Sequence, residues 1–210
     1  STSSKYIEFN KDWGFGVKDF SESTNCVTNE QYESIKSYLI ENRQNLLNNG
    51  KITIDSRIPT NFTWPLQAAD HFTHNDYWAI SGFVDNNPNF GTIIDYNCGN
   101  RTYDVNGYNH RGTDYYTFPH YWDMVNNDDV EIIAAAPGWI LGKLDGNYDT
   151  NCGEGGTDWN AVYIQHEDGS EAWYGHMKEG SLTSKSIGEY VERGEYLGIV
   201  GSSGWSPSPH

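Results

Sequence analysis

The sequence predicts a mainly β protein built on antiparallel strands. Two observations carry this. Aromatic residues are abundant, with 8 Trp, 15 Tyr and 8 Phe beside 22 Gly, a mixture that suits strands and turns. In the second half of the chain, short β-branched and aromatic runs alternate with turn signals. VEIIAAA (130–136) reads as a buried strand and Pro137-Gly138 as the turn after it, with WILGKL (139–144) as the next strand. AVYIQH (161–166) and EAWYGH (171–176) flank Glu167-Asp168-Gly169-Ser170, a strand, an Asp-Gly hairpin turn and a strand. YVERGEYLGIVGSSG (190–204) is strand-like with glycine breaks.

The first half has a different texture. Residues 1–27 are irregular and aromatic. Thr28 followed by Gln31 fits a capping box. Tyr32, Ile35, Leu39, Leu46 and Leu47 then recur at near-helical spacing, and Asn48-Asn49-Gly50 ends the run. One helix over about 29–48 is therefore expected, followed by a short strand at KITID (51–55). Segment 56–109 reads as loops, with Pro59, Pro65 and Pro88. The expected division is an accessory segment over 1–107 and a β domain over 108–210.

The formal charge is -16. Such a surface repels phosphate backbones, so nucleic acid is not an expected partner. The longest apolar stretch, Ile132 to Leu141, is interrupted by Pro137 and Gly138 and is too short to span a bilayer. Three cysteines, Cys26, Cys98 and Cys152, form no CxxC pair, so a thiolate zinc site is not indicated. They allow three single bridges or three free thiols. Cys98 and Cys152, both in Gly- and Asn-rich loops, are the pair expected to bridge in an exported protein.

Seven histidines are candidates for chemistry. His110 and Asp114 frame His-Arg-Gly-Thr-Asp. On a flat strand, residues four apart lie roughly 13 Å from each other, so a shared ion requires a bend, for which Gly112 is placed. His176 closes EAWYGH, where alternation puts it on the same face as Tyr174 and opposite Trp173 and Gly175. His210 follows the Gly/Ser/Pro run from Gly198 to Pro209. His71 and His74, among Phe72, Tyr77 and Trp78, are expected to be structural, and His120 and His166 to lie on the surface.

Taken together, H-x-G-x-D, Trp-Tyr-x-His-Met and G-x-x-G-S-S-G-x-S-x-x-P-H resemble the lysostaphin-like M23 peptidases in order and spacing, over about residues 108–210. The resemblance implies an antiparallel sheet groove and zinc-dependent hydrolysis of peptide bonds. It places zinc ligands on His110 and Asp114, and a catalytic, non-ligand histidine on His176. The family's last motif is His-x-His. His210 matches its first, catalytic histidine, and the third ligand is expected two residues further on. Tyr174 becomes a candidate substrate contact. The implied substrates are peptidoglycan cross-link peptides or Gly-rich proteins, and the implied setting is outside a bacterial cell. The alternative is a degenerate, non-catalytic M23-like module that binds wall peptide or a partner enzyme.

Overall fold

A computed structural model describes residues 27–84, 93–94, 100–101, 111–152 and 158–210. Its centre is a four-stranded antiparallel sheet in the order β10-β7-β8-β9. These strands are β7 (Gly138–Leu144), β8 (Ala161–Gln165), β9 (Glu171–Tyr174) and β10 (Tyr190–Val191). All five residues of β8 are buried, because both faces of this sheet are covered. Val162 and Ile164 enter one apolar cluster with Ile140, Tyr174, Leu197 and Val130. Ala161 and Tyr163 enter the other, with Leu141. The period-two alternation of a strand is thus preserved, with apolar side chains on both sides.

The first cluster is closed by a second sheet. Its order is β1-β6-β11, formed by β1 (Leu66–Ala68), β6 (Val130–Ile133) and β11 (Tyr196–Ile199). Strands from both sides of residue 107 share sheets. Leu66 is paired with Ile132, and β2 (Trp78–Gly82) pairs with β5 (Asp114–Thr117). Two short strands, β3 (Ile93–Ile94) and β4 (Asn100–Arg101), pair with each other. Trp64 joins the β2–β5 ribbon to the rest, its ring 4.0 Å from Trp78 and 4.9 Å from Tyr115 between centroids.

The second cluster is closed by helix α1, Asn29–Asn48. The reciprocal capping bonds of Thr28 and Gln31 start it, at 3.0 and 3.1 Å. Ile35 and Leu39 turn inward onto Leu141 and Tyr163, and full burial of each contributes about 1.5–3 kcal/mol. Gly142 makes the close approach possible. A Cβ there would stand 2.8 Å from both Leu39 Cδ2 and Tyr38 Cε1. The β7–β8 register shifts between Ile140 and Gly142, and the Leu141 carbonyl accepts from Asn42 Nδ2 at 2.9 Å. Arg43 completes the seam by reaching both Gln165 and Glu171.

Several details differ from the sequence expectation. KITID forms no strand; its tail is tied to the β8–β9 turn by single bonds rather than a ladder. Asp55 N donates to Glu167 O at 2.6 Å, and Thr60 N to Asp168 Oδ2 at 2.7 Å. A second helix, α2 (Tyr121–Asn126), buries Met124 and Val125 and carries no side-chain cap, so it left no start signal. His166 is not a surface residue. It is fully buried at the end of β8, where the strap at Phe62 covers it edge-on, with centroids 5.0 Å apart. Cys152 is exposed, and the expected Cys98–Cys152 bridge falls partly on residues that are not described. Cys98 and Cys26 lie outside the described residues.

Candidate active site

A groove runs between the wall made by α1 and strands β5 and β9. Asp114, Tyr174, His176 and His210 all line it. Three segments far apart in sequence therefore deliver the expected site residues to one place.

Strand β9 ends at Tyr174, so simple alternation does not deliver His176. The chain turns after Tyr174, and His176 takes a left-handed backbone conformation with φ 55°, uncommon for a residue other than glycine. Its ring is 5 % exposed and is held from three directions. Nδ1 lies 2.6 Å from the Ser203 carbonyl oxygen. A carbonyl only accepts, so Nδ1 carries the proton and the neutral ring keeps its basic lone pair on Nε2. The indole of Trp159 stands edge-on at 5.1 Å. The imidazole of His210 lies at 4.3 Å, tilted by 43°.

Trp159 is itself fixed, donating from Nε1 to the Tyr163 hydroxyl at 2.8 Å. It occupies the space beside Gly175, where any Cβ would come within 2.3 Å of the indole. Sequence reasoning missed Trp159. The pairing of a tryptophan with a glycine sixteen positions on has no local signature.

His210 is held by a chain of serines. Ser202 Oγ donates to Ser206 Oγ at 2.8 Å, and Ser206 Oγ donates to Ser208 O at 2.7 Å. His210 Nδ1 then sits 2.8 Å from Ser208 O and 3.1 Å from Ser206 Oγ. Ser206 Oγ has already given its proton away, so here too Nδ1 is the donor. The Ser-rich run, ordinary loop chemistry when read as sequence, is a buried scaffold: Ser202, Ser203 and Ser206 are all fully enclosed.

Asp114 opens β5, half-buried, opposite Gly82 of β2. His110 lies outside the described residues. Among the described residues, no three His, Cys, Asp or Glu side chains are grouped to hold a metal ion. The donor types in the groove, a carboxylate and imidazoles, are those zinc takes in catalytic sites. Tyr174 lines the groove but is largely buried, and its hydroxyl accepts the Ala135 N–H at 2.9 Å. Burial pushes this phenol up to about 12, so it stays protonated and keeps a proton to donate.

Of the other histidines, His71 is 2.9 Å from Asp129 and stands away from the groove. His166 repeats the bonding of His176, with Nδ1 2.8 Å from the Pro137 carbonyl, on the far end of β8.

Among the described residues, no helix is long and apolar enough to cross a membrane. Neither a curated protein nor a solved structure matches the chain. The family model described as Peptidase family M23 matches residues 109–210. The segment that carries Asp114, His176 and His210 thus belongs to peptidase family M23, a family of metallopeptidases.

Proposed function

We propose that this chain is a zinc-dependent endopeptidase acting outside the cell on peptide cross-links of peptidoglycan or on Gly-rich proteins. The observation that carries the reading is the convergence of His176 and His210, rings 4.3 Å apart, in the groove that Asp114 also lines. Asp114 and His110, with a histidine two positions past His210, would hold the metal. Zinc, when bound, supplies Lewis acidity toward the scissile carbonyl and toward water.

The protein's own groups do the rest. Both rings carry Nδ1–H bonded to fixed backbone carbonyls; Nε2 is then the proton-transfer atom of His176 on the groove, whereas Nε2 of His210 is enclosed. His176 accepts a proton at Nε2 and, once protonated, donates to the developing oxyanion. Its orientation is set in advance by Ser203 O and Trp159, so little reorganisation accompanies the reaction. The aromatic walls, Tyr32, Tyr115 and Trp173, suit an extended peptide lying along the strands.

The test is zinc per chain by elemental analysis, beside hydrolysis of purified peptidoglycan and of a pentaglycine peptide. It is run on the 210-residue chain and on a chain carried further along its natural sequence. About one zinc and hydrolysis in the longer form are expected. No zinc in either form would leave the chain as a non-catalytic binding module.

A further inference from the structure

Helix α1 lies outside the family-matched segment, yet it builds one wall of the groove. Its groove-facing residues include Tyr32, Lys36 and Arg43. Tyr32 contacts Trp173 of β9, with centroids 5.3 Å apart. Two cations gather on the tyrosine. Arg111 Cζ lies 3.9 Å from the Tyr32 ring centroid and Lys36 Nζ 5.5 Å from it. Arg111 Nη2 also donates to Asn29 Oδ1 at 3.1 Å.

The charge at this place runs against that of the molecule. Acidic residues outnumber Lys and Arg by 29 to 13 over the chain, and several cations are paired with carboxylates. Arg43 takes Glu171, and Lys178 takes Asp128. Among the described residues, neither Lys36 nor Arg111 has a carboxylate partner. Two like charges are brought together at one aromatic ring, whose quadrupole attracts them. The hollow beside Tyr196 shows the opposite balance, collecting Asp70, Asp128, Glu131 and Glu179 around Lys178.

We propose that Lys36 and Arg111, braced on Tyr32, form a subsite for a carboxylate of the peptide substrate. The proposal deepens the endopeptidase reading and rests on it. Arg111 still has guanidinium donors beyond the one given to Asn29, and a fork of N–H groups matches a carboxylate. Lys36 adds a mobile point charge on the exposed side of the helix. The subsite lies on the same groove as His176 and His210. A carboxylate bound there fixes the register of the peptide across the catalytic histidines. The net charge of -16 otherwise repels acidic peptides, so selectivity for one carboxylate position follows from this one local reversal.

The experiment uses full-length zinc-loaded protein and a Gly-rich peptide series. Each member carries a single Glu at a successive position, beside its Gln counterpart. At one position the Glu peptide should show kcat/KM about tenfold above the Gln peptide, mostly through KM, as a charge-assisted hydrogen bond supplies. Lys36→Glu should erase or invert that preference, and Lys36→Arg should retain it. Added salt at 0.5 M should flatten it. Equal turnover of every Glu and Gln pair, or a preference unaffected by Lys36→Glu, overturns the subsite. If no peptide is cleaved, the peptidase reading fails by itself. Tryptophan-fluorescence titration with the same pairs then decides the subsite, which stands if binding is Glu-selective and sensitive to Lys36→Glu and falls otherwise.

Discussion

His166 and His176 stand at opposite ends of the same β-hairpin region and are bonded almost identically. Each gives Nδ1–H to a backbone carbonyl, at 2.8 Å to Pro137 and 2.6 Å to Ser203. Each lies edge-on to an aromatic ring, Phe62 for one and Trp159 for the other. The difference is what lies beyond Nε2. For His176 it is a groove shared with Asp114 and His210. For His166 the nitrogen is enclosed and, among the described residues, has no hydrogen-bond partner. The fixed tautomer is therefore not the catalytic signal. A histidine held in one tautomer becomes a base only where its second nitrogen meets substrate.

The comparison is broken most forcefully by His176→Ala. Loss of a positioned acid–base group costs about a thousandfold in kcat, with bound zinc retained because His176 is assigned no ligand role. Steady-state hydrolysis and metal content on the same sample check both halves. Turnover within tenfold of the parent would remove His176 from the mechanism. His166→Ala should give the reverse pattern. Vacating a fully buried site and stranding the Pro137 carbonyl costs about 2–4 kcal/mol of stability. Urea unfolding measures that loss, and kcat per folded molecule should be unchanged. A large fall in kcat with stability intact would place His166 in the chemistry.

The contrast also shows what the sequence could reveal. The helix over 29–48, the strands flanking Asp168-Gly169 and the groove residues Asp114, His176 and His210 were legible because caps, turns and spaced motifs are local signals. The burial of His166 was not, since it depends on Phe62, about a hundred residues earlier, crossing the end of β8. Nor was the groove wall. Tyr32 and Lys36 look like an ordinary amphipathic helix until Gly142 lets α1 settle on the sheet beside Arg111. Local patterns specify elements, and the partners of a side chain arise only when distant elements meet.

The smallest effect expected of His166 is in pH dependence. Burial lowers the pKa of His166, against opposing contributions from the Pro137 carbonyl and the charge of Asp168. Its folded value therefore lies below the unfolded value of about 6.5. Between the two, the unfolded chain binds a proton that the folded chain refuses, so stability rises with pH. The contribution is complete above about 6.5 and declines as pH falls below it. Asp168 works in a separate, lower window. Hydrogen bonds from Ser170 and Thr60 hold its carboxyl well below the usual range, so its contribution is present above about 3.9 and is lost only as pH falls further. His166→Asn offers a donor near the position of Nδ1 and removes the titration. Unfolding midpoints at pH 7, 6 and 5 should decline less steeply in that variant than in the parent. An unchanged slope would mean that the buried imidazole at the end of β8 is not the group that resists protonation.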